Sequence, residues 1–231
     1  MIYQDMLCVI PARRGSKRLP LKNIKMLAGK PMIAYSIDVA LSAGVFNEVV
    51  VSTEDDEIAD IAKSFGAVVH MIPKELAGDL ISSLHPCLHA WRTEKYRHYK
   101  DLICLQPTSP MILPNDVLES ITKYYKMDAN FLVSSTHIDA HYFHWGMEPI
   151  ADGFFELYFG NKYMKERPLL PSIYRPNGGI KLAKFEVIEK VMHFFGPKLT
   201  TYELPEERSI HVATEFEFDV CEFLLNRRKG K

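Results

Sequence analysis

MLCVIPARRGSKRLPLKN, residues 6–23, is the stretch on which the fold turns. Met6–Pro11 is short, apolar and rich in strand formers, which reads as a buried strand. A polar loop carrying Arg13, Arg14, Lys17, Arg18 and Lys22 follows at once. A buried strand that hands over to such a loop is how an open α/β sheet begins, and in that class ligands bind beyond the carboxyl ends of the strands. The loop is either a solvated charged connection or a cradle for an anion. A cradle needs backbone N–H groups that come close, cations, and a turn to aim them. Gly15 permits close approach and a positive φ. Ser16 adds a neutral donor and Pro20 stiffens the exit. There is no GxxxxGK motif and no GxGxxG motif, so this is neither a Walker loop nor a dinucleotide fingerprint. The residue chemistry favours anion binding.

Outward from that loop the rhythm holds. Pro31 suits the first position of a helix, Ile33, Ile37, Ala40 and Leu41 recur at helical spacing, and Gly44 closes it. Glu48–Ser52 reads as a second strand. Thr53 reads as the next N-cap, with Asp56 in the capping-box position. Ile58, Ile61, Ala62 and Phe65 form a helical face ended by Gly66, and Ala67–His70 is a third strand. Ser82 or Ser83 precedes a helix through Leu84, Leu88 and Trp91. Asp101–Leu105 is a fourth strand, Pro114–Tyr125 a helix and Phe131–Ser134 a fifth strand. Strands alternating with helices predict an α/β fold with a mostly parallel sheet and helices on both faces. Residues 137–171 break the pattern. Rich in His, Tyr, Phe and Pro, they predict an excursion from the sheet, either a lid or dimer arm or a satellite core under a long loop. Glu215–Asn226 reads as a closing helix and Arg227–Lys231 as a solvated, frayed tail. The 231 residues fit a single domain, 1–231, with the 137–171 excursion inside it.

Composition excludes several classes of function. A formal net charge of −1 argues against a nucleic-acid binder, which usually carries a strong basic excess. No apolar stretch approaches the roughly 20 residues that span a bilayer, and no secretory signal opens the chain. Cys8, Cys87, Cys104 and Cys221 lie far apart with no CxxC pair, so a thiolate zinc site is not expected. Cys8 and Cys104 sit in strand-like runs as small buried thiols. A reducing cytoplasm is the expected setting.

Two further stretches join the opening loop. Leu105–Pro110 (LQPTSP) closes the fourth strand and puts an amide and two hydroxyls where ligands bind, held by two prolines; it is either a ribose or base contact or a proline-rich turn. In Arg175–Gly179 (RPNGG), Arg175 suits a bidentate contact to a carboxylate or phosphate. Asn177 and the glycines also suit a plain hairpin turn.

Taken together and in order, PARRGSKRLPLKN, VVVST, ELAGD followed by SS, LQPTSP and RPNGG resemble the acylneuraminate cytidylyltransferases, the CMP-sialic and CMP-legionaminic acid synthetase family, over about residues 6–226. The resemblance implies a Rossmann-like nucleotidyltransferase fold, a mixed, mostly parallel sheet flanked by helices, with a dimerisation excursion that fits residues 137–171. It implies a homodimer that takes CTP and a nine-carbon 2-keto sugar acid and yields the CMP-sugar acid and pyrophosphate. Such a transfer needs positioning and charge stabilisation rather than a covalent nucleophile. Arg13, Gly15, Ser16, Lys17 and Lys22 match the triphosphate loop, with Arg13, Lys17 and above all Lys22 as catalytic cations. Asn23 matches the asparagine beside the nucleotide, and Asp79, Ser82 and Ser83 the cytidine segment. Gln106 matches a residue between ribose and sugar acid, and Arg175 the arginine for the sugar carboxylate. Phe194 and Phe195 match an aromatic pair at the sugar pocket, or are two core aromatics.

Four departures from the family pattern stand out. The family's Asp-x-Asp pair for Mg²⁺, an expected cofactor, falls on His211 and Ala213, neither of them a hard oxygen ligand. Glu215, Glu217 and Asp219 read as a solvated face of the closing helix. An arginine before the ELA segment is replaced by Ile72, which loosens cytosine selectivity. A lysine of the excursion falls near His144, which either pairs with the sugar carboxylate when protonated or is a packed or solvated histidine. An aromatic after RPNGG becomes Lys181. These departures keep open two alternatives. One is a cytidylyltransferase for an octulosonate- or pseudaminate-type acid; the other is a nucleotide-binding relative without catalysis.

Overall fold

The computed structural model describes Tyr3 and residues 5–230. The chain runs β1 (Met6–Pro11), β2 (Met26–Leu27), β3 (Lys30–Pro31), α1 (Met32–Ala43), β4 (Val49–Thr53), α2 (Asp56–Ser64), β5 (Val68–Met71), α3 (Leu84–Trp91) and β6 (Asp101–Leu105). It continues through α4 (Pro114–Lys126), β7 (Phe131–Ile138), α5 (Ala140–His144), β8 (Met147–Pro149), β9 (Phe155–Leu157), β10 (Ile173–Lys184), α6 (Phe185–Val191), β11 (Leu199–Glu203) and α7 (Glu215–Lys229).

Seven strands form one sheet in the order β11-β7-β10-β6-β1-β4-β5. β1 pairs in parallel with β4 and β6, β4 with β5, and β7 with β11. β10 is antiparallel to both of its neighbours, β6 and β7. The expected mixed, mostly parallel sheet is therefore present. Alternate residues of β1 feed two cores. Met6, Cys8 and Ile10 face one cluster with Ile33, Ile37 and Val117 from the helices α1 and α4. Leu7 and Val9 face the other with Leu84, Leu88 and Trp91 of α3 and Phe185 and Ile188 of α6. A third cluster packs Leu19 of the opening loop and Leu27 of β2 against Phe218, Cys221 and Leu225 of α7. All four cysteines are free and buried.

Several boundaries differ from the sequence reading for physical reasons. Pro31 is the N-cap of α1 rather than its first residue, because it pairs with Met26 across β2 and β3. Thr53 still pairs with Met71, so the first residue free to cap α2 is Asp55, whose carboxylate accepts from Ile58 N at 3.0 Å. β7 runs on to Ile138 because the first half of β10 pairs with it. The excursion thus leaves the sheet after Ile138 and rejoins it at Ile173. Of the expected basic tail, residues 227–229 are not frayed and Lys231 lies outside the described residues: α7 continues to Lys229, with Arg228 Nη1 donating to Met111 O at 3.4 Å and Lys229 Nζ to Ala28 O.

Within the excursion, α5 and the β8/β9 hairpin enclose a small aromatic cluster. His144 stacks on Tyr163 at 4.0 Å and lies near Phe143 and Phe159. Phe154, Phe155, Tyr158 and Leu169 are each more than 60% exposed. A satellite core and an apolar outer face are both present.

Candidate active site

The opening loop leaves β1 at Ala12, which stays buried and donates its N–H to Ser52 O at 2.9 Å. Arg13 turns towards the segment after β5: its Nη1 donates to Ala77 O at 3.2 Å and to Asp79 at 2.7 Å. Lys17 reaches the other oxygen of Asp79 at 2.8 Å. The Asp79 carboxylate, bonded first by Lys17 and then by Arg13, is held below the usual carboxylate range. Arg14 points the other way, to Asp55 and Glu57 at 2.9 Å each, and is spent on fixing the loop to α2. Gly15 is not at a positive φ, and a Cβ there would meet only Arg13 Nη1 at 3.9 Å. The left-handed residue of the loop is Leu21, with φ 53.

Lys22 has no carboxylate partner among the described residues, and burial together with Arg18 and Arg13 lowers its pKa. Asn23 is buried; its Nδ2 donates to Arg13 O at 2.8 Å, while its Oδ1 has no donor. Together with Arg13, Gly15, Ser16, Ser82, Ser83 and Gln106, these two residues line a cavity of about 140 Å³ at the carboxyl ends of β1, β4 and β6. Ile72 lines it too.

A second, wider cavity of about 610 Å³ adjoins the first and is lined by Arg18, Gln106, Arg175, Lys181, Phe195 and His211, among others. Gln106 belongs to both cavities. Arg175–Gly179 is not a hairpin. It lies inside β10 as a bulge, where the register with β7 jumps between Pro176 and Lys181. The buried Asn177 holds the bulge: its Oδ1 accepts from Ser134 Oγ and from Gly179 N, and its Nδ2 donates to Ser209 Oγ at 2.9 Å. A bulge re-aims side chains, and this one leaves Arg175 exposed at the cavity.

The aromatic pair is split. Phe195 lines the second cavity, whereas Phe194 is a core residue beneath Lys181, whose Nζ sits 5.0 Å from its ring. His144 joins neither cavity; it is buried in the excursion's own cluster, with Nε2 3.4 Å from Pro171 O. Packing there, not a carboxylate, accounts for its position.

Sequence reading treated His211 as a lost ligand and Lys181 as a lost aromatic. The structure places both at the junction of the cavities. Lys181 Nζ donates to Ser83 Oγ at 3.4 Å. His211 Nδ1 lies 3.2 Å from Thr108 Oγ1, and burial, then Lys22, then Lys181 and Arg18 push its pKa down to about 4, with Glu217 opposing. Thr108 was visible in the LQPTSP stretch, but its contact lies 103 residues away along the chain.

These residues do not fit a magnesium ion. Ala213 offers no donor atom, and the imidazole of His211 stands among cations, where a dication is disfavoured. Glu217 Oε2 is occupied by Ala213 N, Thr214 N and Thr214 Oγ1. No cluster of three metal-ligating side chains occurs among the described residues. No helix among them is long and apolar enough to cross a membrane.

Comparison with known proteins bears on the family and the fold. A family described as Cytidylyltransferase matches residues 7–144. The N-acylneuraminate cytidylyltransferase of Escherichia coli O18:K1:H7 is 32% identical over 226 residues, covering 97% of this chain; the chain spans only 53% of that enzyme. The pseudaminic acid cytidylyltransferase of Campylobacter jejuni strain 81-176 is 30% identical, covering 94% of this chain and 95% of its own. Among solved structures, a CMP:2-keto-3-deoxy-manno-octonic acid synthetase complexed with CTP superposes with a TM-score of 0.74 at 19% identity, covering 97% of this chain and 100% of the other. The 4-diphosphocytidyl-2C-methyl-D-erythritol synthase of Anaerococcus prevotii gives 0.64 at 12% identity, covering 96% and 99%. At those identities the likeness is one of fold.

Proposed function

This chain belongs to the acylneuraminate cytidylyltransferase family of nucleotidyltransferases, and on that premise we propose that it joins CTP to a nine-carbon 2-keto sugar acid of the sialic or legionaminic type, releasing pyrophosphate. One observation carries the reading. Gln106 is a shared wall between a cavity ringed by Arg13, Ser16 and Lys22 and a wider one that presents Arg175. Two cavities with a common amide suit two substrates that must meet.

In this reading the cytidine enters the first cavity, against Asn23, Ser82, Ser83 and Gln106. The unpaired Asn23 Oδ1 waits for a donor. The triphosphate lies along the loop and takes Arg13 and Lys17 from Asp79. Lys22, already poor in partners, sits over the α-phosphate, where charge builds in the transition state. Arg175 holds the sugar carboxylate and Phe195 shapes the side-chain pocket. The work is positioning and electrostatics, which is why cations and no nucleophile line the site. The exposed aromatic face of the excursion joins two copies into a homodimer.

The test is pyrophosphate release from CTP with neuraminate-, legionaminate-, pseudaminate- and octulosonate-type acids, each with magnesium and with chelator. Release with a sialic- or legionaminic-type acid is expected. Release only with a pseudaminate or octulosonate would replace the substrate class. Binding of CTP without release for any acid would leave a nucleotide-binding protein without catalysis.

A further inference from the structure

A row of hydrogen bonds joins the two cavities. Gln106 Nε2 donates to Ser83 Oγ at 3.0 Å, which turns Gln106 Oε1 towards Thr108. Thr108 Oγ1 donates to that Oε1 at 3.4 Å, since a carbonyl oxygen only accepts. The hydroxyl hydrogen of Thr108 is then committed. With that hydrogen on Gln106, the 3.2 Å contact of Thr108 Oγ1 with His211 Nδ1 is a bond donated by the imidazole. In that arrangement Nδ1 carries the proton and Nε2 keeps its lone pair. Gly178, at φ +78, makes room for the ring: a Cβ there would lie 3.3 Å from Nδ1. His211 thus lines the sugar-acid cavity with its tautomer fixed from behind.

We infer that His211 Nε2 is the general base of the transfer, taking the proton of the anomeric hydroxyl as its oxygen attacks the α-phosphorus. This rests on the cytidylyl-transfer reading above. The bond from the anomeric oxygen to phosphorus forms, the bond from phosphorus to the bridging oxygen breaks, and pyrophosphate leaves with that electron pair. The proton stays on His211 until it is lost to solvent.

The surrounding charges make the base conditional on its substrate. Facing the ring are Lys22 and Arg18 from the opening loop, Lys181 from β10 and Glu217 from α7. Burial first, and then the three cations against Glu217, keep the imidazole neutral in the free protein. A bound triphosphate neutralises Lys22 and Arg18, and anions raise the proton affinity of a nearby histidine. Nucleotide binding therefore strengthens the base just when it is needed.

The experiment is an imidazole NMR titration of the whole chain with and without CTP, with the His211 signal identified by its loss in His211→Asn. Without CTP, a midpoint near pH 4 and a bare Nε2 by nitrogen shift are expected. With CTP, the midpoint should rise by about one unit or more. In steady state the acid limb of kcat, which reports the complex, should lie above that of kcat/KM, which reports the free protein. His211→Asn, which keeps the donor to Thr108, should bind CTP normally and lose ~10²- to 10⁴-fold in kcat. An unchanged midpoint on CTP binding, a protonated Nε2, or near-normal turnover in His211→Asn would overturn the inference while leaving the transfer reading intact. Failure of CTP to bind would overturn both.

Discussion

At the scale of single residues, Lys22 and Asp79 make opposite predictions. Lys22 is half-buried beside Arg13 and Arg18 and gains nothing from the fold in return. Lys22→Ala should therefore keep its melting temperature and lose ~10²- to 10³-fold in kcat, as loss of a single charge-stabilising group does. Calorimetry and pyrophosphate release on the same sample decide it; a destabilised protein or near-normal turnover would sink the role. Asp79 holds the cations that the triphosphate must take. Asp79→Asn should tighten CTP several-fold by isothermal titration, and weaker binding would place Asp79 on the cytidine itself. The loop's chemistry was legible in the sequence because its residues are contiguous. What the sequence could not divide was their labour: Arg14 goes to α2, Arg13 and Lys17 to Asp79, while Arg18 and Lys22 pair with no carboxylate among the described residues.

At the scale of elements, the bulge in β10 and the cap of α7 are where local chemistry sets site geometry. Gly179 packs against α4's approach: a Cβ would fall 2.4 Å from Ile112 Cδ1 and 3.2 Å from Ser109 Cβ. Gly179→Ala should cost ~1–3 kcal/mol by overpacking, read as a lower urea midpoint at constant slope. Thr214 caps α7 with Glu217 in a reciprocal box. Thr214→Ala should cost ~1 kcal/mol and, because His211 lies three residues upstream, reduce kcat more than CTP affinity. Elements with a clean period were read within a residue or two, as with Asp101–Leu105. RPNGG stayed open between a site and a hairpin because the same residues suit both, and only pairing with β7 makes them a bulge. The row from Ser83 through Gln106 and Thr108 to His211 was out of reach, since its members come from three separate segments and no spacing rule links them.

At the scale of the whole molecule, Phe154, Phe155, Tyr158 and Leu169 of the excursion are each more than 60% exposed, and the proposed dimer would cover them. Light scattering at micromolar concentration should give the mass of a dimer, and Phe154→Glu with Phe155→Glu should give a monomer; a monomeric parent would refute the pairing. At the opposite end of the sequence, α7 backs the opening loop. Phe218, Cys221 and Leu225 pack on Leu19 and Leu27, Glu222 accepts from Ala28 N at 2.9 Å, and Lys25 pairs with Glu215. The opening loop is thus supported by a helix made some 190 residues after it. During synthesis the sheet can close while that loop still hangs unsupported. A chain halted before residue 214 would lack that support, so the loop's finished shape waits on a segment made long after it.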